Sequence, residues 1–509
     1  MTIGSLDLAI LLVYLLGMVA VGCWVGRGTH GAKDYLLGAR DLPWWALLLS
    51  IVATETSTVT FLSTPGIAYG GGLPGTTGDF RFLQLPMGYL IGRLVVVRCL
   101  LPLYFKGEVM TAYQVLSQRF GGGTRKVASV LFLITRTLAD GLRLYLTALV
   151  VQALLPIDLV TAVVGMGAVT LVYTYFGGMK AVVWTDVIQF VVYMTGAIIA
   201  LLVLIGDLPN GLTDLTSAMA TPERSRLFDF SYALDNDYTF WAGLIGGAIL
   251  SIGSHGTDQL IVQRYLAAKS QREAALALSL SGVIVLLQFA FFLVLGIGLA
   301  VFYATHAPAS PFGKSDEVFL DFIIHHTPTG VLGIVLGAVF SAAMSTLSSS
   351  LNSSASAFVN DIWLPLRGMT TEHPSGLATA KVATLGFGAL QIGVGCSGLG
   401  GGAIVGQVLG IASFTTGILL GIYALGIATA RVKQNHALFG LGCGLLVDCL
   451  LKFGLPSIAS SDPSSPLTLA AMWLEPSKLA WPWYGLVGSS TTFVCGLLAS
   501  YLFPPRPAP

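Results

Sequence analysis

Apolar positions in this chain do not alternate with polar ones at the spacing of a half-buried strand. They gather into long runs separated by short polar connections. Thirteen such runs centre on residues 7–26, 43–70, 79–104, 127–153, 157–176, 181–205, 239–263, 274–303, 330–361, 380–398, 402–429, 434–455 and 482–503. At a rise of about 1.5 Å per residue, each is long enough to cross about 30 Å of hydrocarbon as a helix. Inside hydrocarbon every backbone polar group needs a partner within the protein, and a helix supplies it within one segment. The pattern predicts an all-α polytopic membrane protein with about 13 transmembrane helices.

Two runs are interrupted by polar residues. Within Trp44–Gly72 the stretch Ala53-Thr54-Glu55-Thr56-Ser57-Thr58-Val59-Thr60 carries a carboxylate and is followed by Pro65-Gly66. Irregular backbone survives at membrane depth where it lines a protein cavity, and its freed carbonyls can then hold an ion or a polar solute. The second region, Phe340–Ser354, is dense in Ser, Thr and Asn. At helical spacing Ser341, Ser345, Ser348 and Asn352 share a face, with Thr346, Ser349 and Ser353 beside it. Neutral oxygens of this kind suit a hard cation such as Na⁺.

Composition narrows the class. Of 509 residues, 54% are hydrophobic and 10% charged, against about 25% charged in a soluble domain. A mean hydropathy of +0.80 excludes a globular protein on a single anchor. The net charge of +1 excludes a strongly basic nucleic-acid binder. The six cysteines lie in apolar runs without metal-ligand spacing. There is no GxxxxGK[ST] phosphate loop and no sign of an attached soluble domain, so uphill transport is expected to draw on an ion gradient. Placing the N-terminus outside puts 16 of the 26 Lys and Arg residues in inside connections, Arg27, Lys106, Arg125, Lys180 and Arg264 among them. Only Arg81, Arg224, Arg226, Lys314 and Lys478 then lie outside, which satisfies the positive-inside rule and leaves the C-terminus cytoplasmic.

Ionisable residues within spans are functional candidates. Asp186 follows a basic turn and reads either as a cap or salt bridge at a helix start or as an ion ligand. Asp140 and Arg143, three apart, share a helix face as an ion pair, while Arg143 or Arg136 is also suited to grip a substrate carboxylate. Asp258 and Gln259 follow a glycine-loosened stretch that includes His255.

The run Ala53–Gly72, ending in Pro-Gly-x-Ala-Tyr, resembles the first core-helix signature of the sodium:solute symporter family. GGMKAVVWTDVIQ, TDQLIVQRYLAAKS and AAMSTLSSSLNSSASAFVNDI are similar to three further segments of it, in order. The resemblance implies a LeuT-like fold with a 5+5 inverted-repeat core: residues 43–205 as the first repeat and 239–429 as the second. Residues 1–42 and 430–509 are then peripheral, with 206–238 an extracytoplasmic loop. It further implies a Na⁺ site at the carbonyls of Leu49, Val52 and Ala342 and the hydroxyls of Ser345 and Thr346, and a second at Asp186, Ser348 and Ser349. By the same resemblance the substrate cavity draws on Glu55, Thr56, Thr58, Gln84, Arg143, Asp258 and Gln259. Asp258 stands where sugar-transporting members often carry an amide, which speaks against a plain sugar.

The expected function is Na⁺-coupled uptake of a small polar solute (a sugar, amino acid or carboxylate) across the inner membrane, by alternating access and without enzymatic chemistry. No nucleic acid and no obligate protein partner are expected. Two alternatives stand beside it. Proton coupling would titrate Glu55, Asp186 or His255, and a non-transporting sensor on the same fold would bind solute without flux.

Overall fold

The computed structural model describes residues 3–504 apart from 30, 108, 156, 309, 371, 372, 374, 398–403 and 454–478. The expected run ends at 398, 402–403 and 454–455, and the charges Lys478 and Arg506, lie outside these. Among the described residues nine helices are long and apolar enough to cross a bilayer, ten with one bent pair counted as a span. Three places account for the difference from thirteen. Leu159–Asp207 is one 49-residue helix, about 74 Å if straight and so more than two bilayer crossings' worth. Gly178 kinks it at φ 59°, ψ −160°, a backbone conformation open to glycine, and the expected runs 157–176 and 181–205 lie either side. Gly122–Leu154 covers the run 127–153, its hydropathy lowered by Arg136, Asp140 and Arg143. The run 239–263 is split among a π-helical turn Ala242–Gly246, a helix Gly247–Gly256 and a helix Gln259–Leu266.

Val331–Ala357 forms the centre: 83% of the most apolar stretch of its span is buried, against 17% for the helix at the N-terminal end. It packs along Leu159–Asp207, as does Ser5–Val25. Asp7, buried on Ser5–Val25, accepts from the backbone N–H of Gly330 (2.7 Å) and Gly333 (2.8 Å). This carboxylate satisfies orphan donors at the start of Val331–Ala357 and faces the positive end of its dipole.

The expectation of a break within Phe340–Ser354 is corrected. Val331–Ala357 is continuous, and its hydroxyls bond back to carbonyls three or four residues earlier. Ser341 donates to Gly337 O (2.8 Å), Ser348 to Ser345 O (3.2 Å) and Ser353 to Ser350 O (3.1 Å). A hydroxyl that bonds its own turn removes the need to leave the helix. The second break lies at Thr257–Asp258 instead, where the helix ends at Gly256 and restarts at Gln259.

The first break is where the sequence predicts it. Trp44–Glu55 and Thr58–Tyr69 meet at 63° across Thr56 and Ser57, both extended. Thr58–Tyr69 then packs on Gln271–Thr305 and on a short helix Ser315–His326. A Cβ at Gly66 would lie 2.1 Å from the Ser315 carbonyl oxygen, so only glycine admits this approach.

Candidate functional site

The last turn of Trp44–Glu55 leaves carbonyls without intrahelical partners, at the negative end of the helix dipole. Val52 O accepts from Thr56 N (3.0 Å) and Thr56 Oγ1 (2.9 Å). Ala53 O accepts from Ser345 Oγ (2.8 Å), and Thr54 O from Thr346 Oγ1 (3.1 Å). Ser345 and Thr346 also reach Ala342 O, at 3.2 and 3.5 Å. Of the five residues expected at a Na⁺ site, Ala342, Ser345 and Thr346 meet in one buried cluster of oxygens. The carbonyls facing them come from Ala53 and Thr54. Leu49 lies earlier within the regular helix, and Val52 is engaged by Thr56.

Beside this cluster both breaks open onto one cavity of about 140 Å³. Its polar lining includes Glu55, Thr56, Arg136, Arg143, His255 and Asp258. Leu250, Val285 and Phe289 are among its apolar residues. Asp258 caps Gln259–Leu266 by accepting from Leu260 N (2.8 Å) through Oδ1, and holds Arg136 Nη2 at 2.6 Å through Oδ2. Asp140 lies 3.6 Å from Arg136 Nη1 and also accepts from Arg143 Nη1. Arg143 Nε has no hydrogen-bond partner among the described residues. Glu55 is held by Arg93, whose Nη2 lies 2.7 and 2.5 Å from the two carboxylate oxygens, and His255 Nε2 lies 3.2 Å from Glu55 Oε1. Gln288, on Gln271–Thr305, donates to Thr56 Oγ1 at 2.7 Å.

Three residues expected at the cavity do not line it. Gln84 is buried with its amide fully used: it donates to Arg81 O and Tyr238 O and accepts from Asp229 N, anchoring the loop 206–238. Gln259 accepts from Ala112 N (2.7 Å) and approaches Ser356 Oγ (3.4 Å). Thr58 pairs with Thr147 at 2.8 Å. In each case the polar side chain is consumed in joining two elements.

Asp186 sits in a separate, fully buried cluster. Its Oδ2 accepts from Ser50 Oγ (2.5 Å) and Arg264 Nη2 (3.0 Å), with Thr54 and Ser349 hydroxyls at 3.4 and 3.5 Å. Its Oδ1 has no hydrogen-bond partner among the described residues. Ser349 joins Asp186, but Ser348 turns back to Ser345. Arg264 is 1% exposed here and is therefore not the loop charge the sequence pattern makes of it. Arg93 and Arg264 are the functional candidates that sequence reasoning passes over. Both sit in or beside apolar runs, which is the available signal. Their partners, Glu55 and Asp186, are 38 and 78 positions away.

The profile of the Sodium:solute symporter family matches residues 35–444. The chain belongs to this family. It is 28% identical to the human sodium/iodide cotransporter over 99% of this chain and 84% of that one. It is 26% identical to the sodium/sialic acid symporter SiaT of Proteus mirabilis, over 99% and 96%. The sodium-coupled monocarboxylate transporter 1 of Xenopus laevis is 29% identical over 91% and 75%. A solved Na⁺-coupled sialic acid symporter, in a substrate-bound outward-open state, superposes with a TM-score of 0.84 at 26% identity, covering 99% of both chains. The symporter described here is thus a multi-pass membrane protein of LeuT-like fold that couples solute transport to Na⁺, and not an enzyme.

Proposed function

We propose that this symporter uses inward Na⁺ flow to take up a small organic carboxylate by alternating access. The observation that carries the solute class is Arg143. It lines the cavity and spends only Nη1 on Asp140. A guanidinium with donors to spare suits a planar carboxylate, and the apolar side of Leu250, Val285 and Phe289 suits a carbon skeleton. Relatives named for a monocarboxylate and for sialic acid agree with an acidic cargo.

For the ion, the reading takes the carbonyls of Leu49, Val52 and Ala342 with the hydroxyls of Ser345 and Thr346. Ala342, Ser345 and Thr346 already meet, while Leu49 and Val52 join them only if the last turn of Trp44–Glu55, whose Ala53 and Thr54 carbonyls now face the hydroxyls, shifts on ion binding. The second set is Asp186, Ser348 and Ser349. Ser345 and Thr346 now point their O–H groups at Ala53 and Thr54 carbonyls; rotating them offers the same oxygens as lone-pair donors to Na⁺. Ion binding thereby bridges Trp44–Glu55 to Val331–Ala357 and orders the break that borders the cavity, so Na⁺ and solute reinforce each other. Two repeats, 43–205 and 239–429, are supported by a break in the first span of each, at Thr56–Ser57 and Thr257–Asp258.

A thermal-shift measurement on purified protein tests this. Na⁺ but not K⁺ should raise Tm, a carboxylate should deepen the shift, and Ser345→Ala should abolish the Na⁺ step, because a ligand stabilises the state it binds. Stabilisation by sugars or amines and not by acids would overturn the carboxylate reading. Retention of the full Na⁺ step in both Ser345→Ala and Thr346→Ala would overturn the ion site.

A further inference from the structure

The ionic groups in and immediately behind the cavity wall are Glu55, Asp140 and Asp258 against Arg93, Arg136 and Arg143. They sum to zero, as does the Asp186–Arg264 pair behind Thr54, and His255 and Tyr89 are titratable neighbours at the cavity. Two of the three cations stand at the cavity itself. The third, Arg93, is 1% exposed, lies behind Glu55 and is fixed by Ser281, which accepts from its Nη1 at 2.6 Å. Glu55 is 20% exposed and is the carboxylate presented to the cavity from the first break.

From this geometry we infer that Arg93 is a specificity-determining residue: by neutralising Glu55 from behind, it lets a cavity bordered by a carboxylate accept an anionic solute. The inference rests on the carboxylate reading above and adds a residue that touches neither ion nor solute. With Arg93 in place the wall is neutral, and one Na⁺ together with one carboxylate leaves the occupied site neutral. That is the inexpensive arrangement in a low-dielectric interior. Without it, Glu55 faces the bound acid as an uncompensated like charge. The role is electrostatic and has a sign: removing Arg93 disfavours acids, whereas removing the charge of Glu55 leaves Arg93 unopposed and favours them.

The test compares acids with their uncharged amides on purified protein in Na⁺: benzoate with benzamide, nicotinate with nicotinamide, lactate with lactamide. Arg93→Gln should lower the acid-to-amide affinity ratio on the order of tenfold, Glu55→Gln should raise it, and the double variant should return it towards the starting value. Arg93→Lys, which keeps the charge, should hold the ratio. A merely structural ion pair weakens acid and amide together and moves both single variants the same way; that result overturns the inference. If Arg93→Gln does not fold, Glu55→Gln alone decides, since a ratio that falls or stays level is incompatible with the proposal. A parent protein that binds none of the acids overturns instead the carboxylate reading.

Discussion

At the scale of single residues, burial decides what a charge does. Asp237, in the loop ahead of the second break, is pushed up to about 6 by burial, against hydrogen bonds at Trp481 that favour its charged form. An acid whose folded pKa lies above its unfolded value of about 3.9 gives stability that is full below that value and lost as pH rises through 6. The docking of this loop should therefore loosen between pH 4 and 6, and Asp237→Asn should remove that slope and raise Tm at pH 7. Melting curves of both proteins across that range check it. The same contrast explains what the sequence disclosed about the site. Glu55, Asp186, Ser345 and Thr346 stand out in the sequence because a carboxylate or a hydroxyl cluster inside an apolar run has few other uses, and the structure places Glu55 at the cavity and Ser345 and Thr346 against the broken helix. Gln84 and Gln259 lie off the cavity because an amide serves equally well to bond backbone across elements, a use that its position in the sequence does not distinguish from solute binding.

At the scale of elements, the half-helix Gln259–Leu266 joins the two polar clusters. Its cap, Asp258, holds Arg136 at the cavity, and its last turn carries Arg264 to Asp186, Ser50 and Ser349. Asp258→Ala should cost about 1 kcal/mol for the lost cap. It should cost more for Arg136, left with Asp140 alone, since stripping a partner from a buried charge is expensive. Asp258→Asn keeps a good cap and removes only the charge, so it should melt closer to the parent while leaving Arg136 less opposed at the cavity and so favouring an acid over its amide. Equal melting of the two variants would mean that the cap adds nothing and that the cost lies in the charge partner lost by Arg136. Element lengths were largely written in the hydropathy pattern, and breaks less so. The break at Thr257–Asp258 was signalled by Gly253, Gly256 and a capping aspartate, whereas the denser hydroxyls of 340–354 imitate a break that the helix absorbs into its own turns.

At the scale of the whole molecule, the orientation expected from the sequence rests on charges in the connections, and the structure changes that tally in one informative place. Arg264, on the inside by its sequence position, is buried against Asp186 and does not contribute to the loop signal. Lys269 and Arg272, a few residues on, together with Lys106, Arg125 and Lys180, remain to carry it. The bias survives because it is spread over several connections and does not rest on one residue. It predicts that the short helix Leu212–Met219, in the loop between the proposed repeats, faces outside and that the turn at Lys269 faces the cytoplasm. With the six native cysteines replaced, a cysteine at Thr216 should react with a membrane-impermeant maleimide in intact cells, and one at Lys269 only after permeabilisation. The opposite pattern would invert the molecule, so that Na⁺ would enter from what is here taken as the exit. Labelling of both in intact cells would place the two segments on one side and break the proposed pairing of repeats, since an odd number of crossings must separate them.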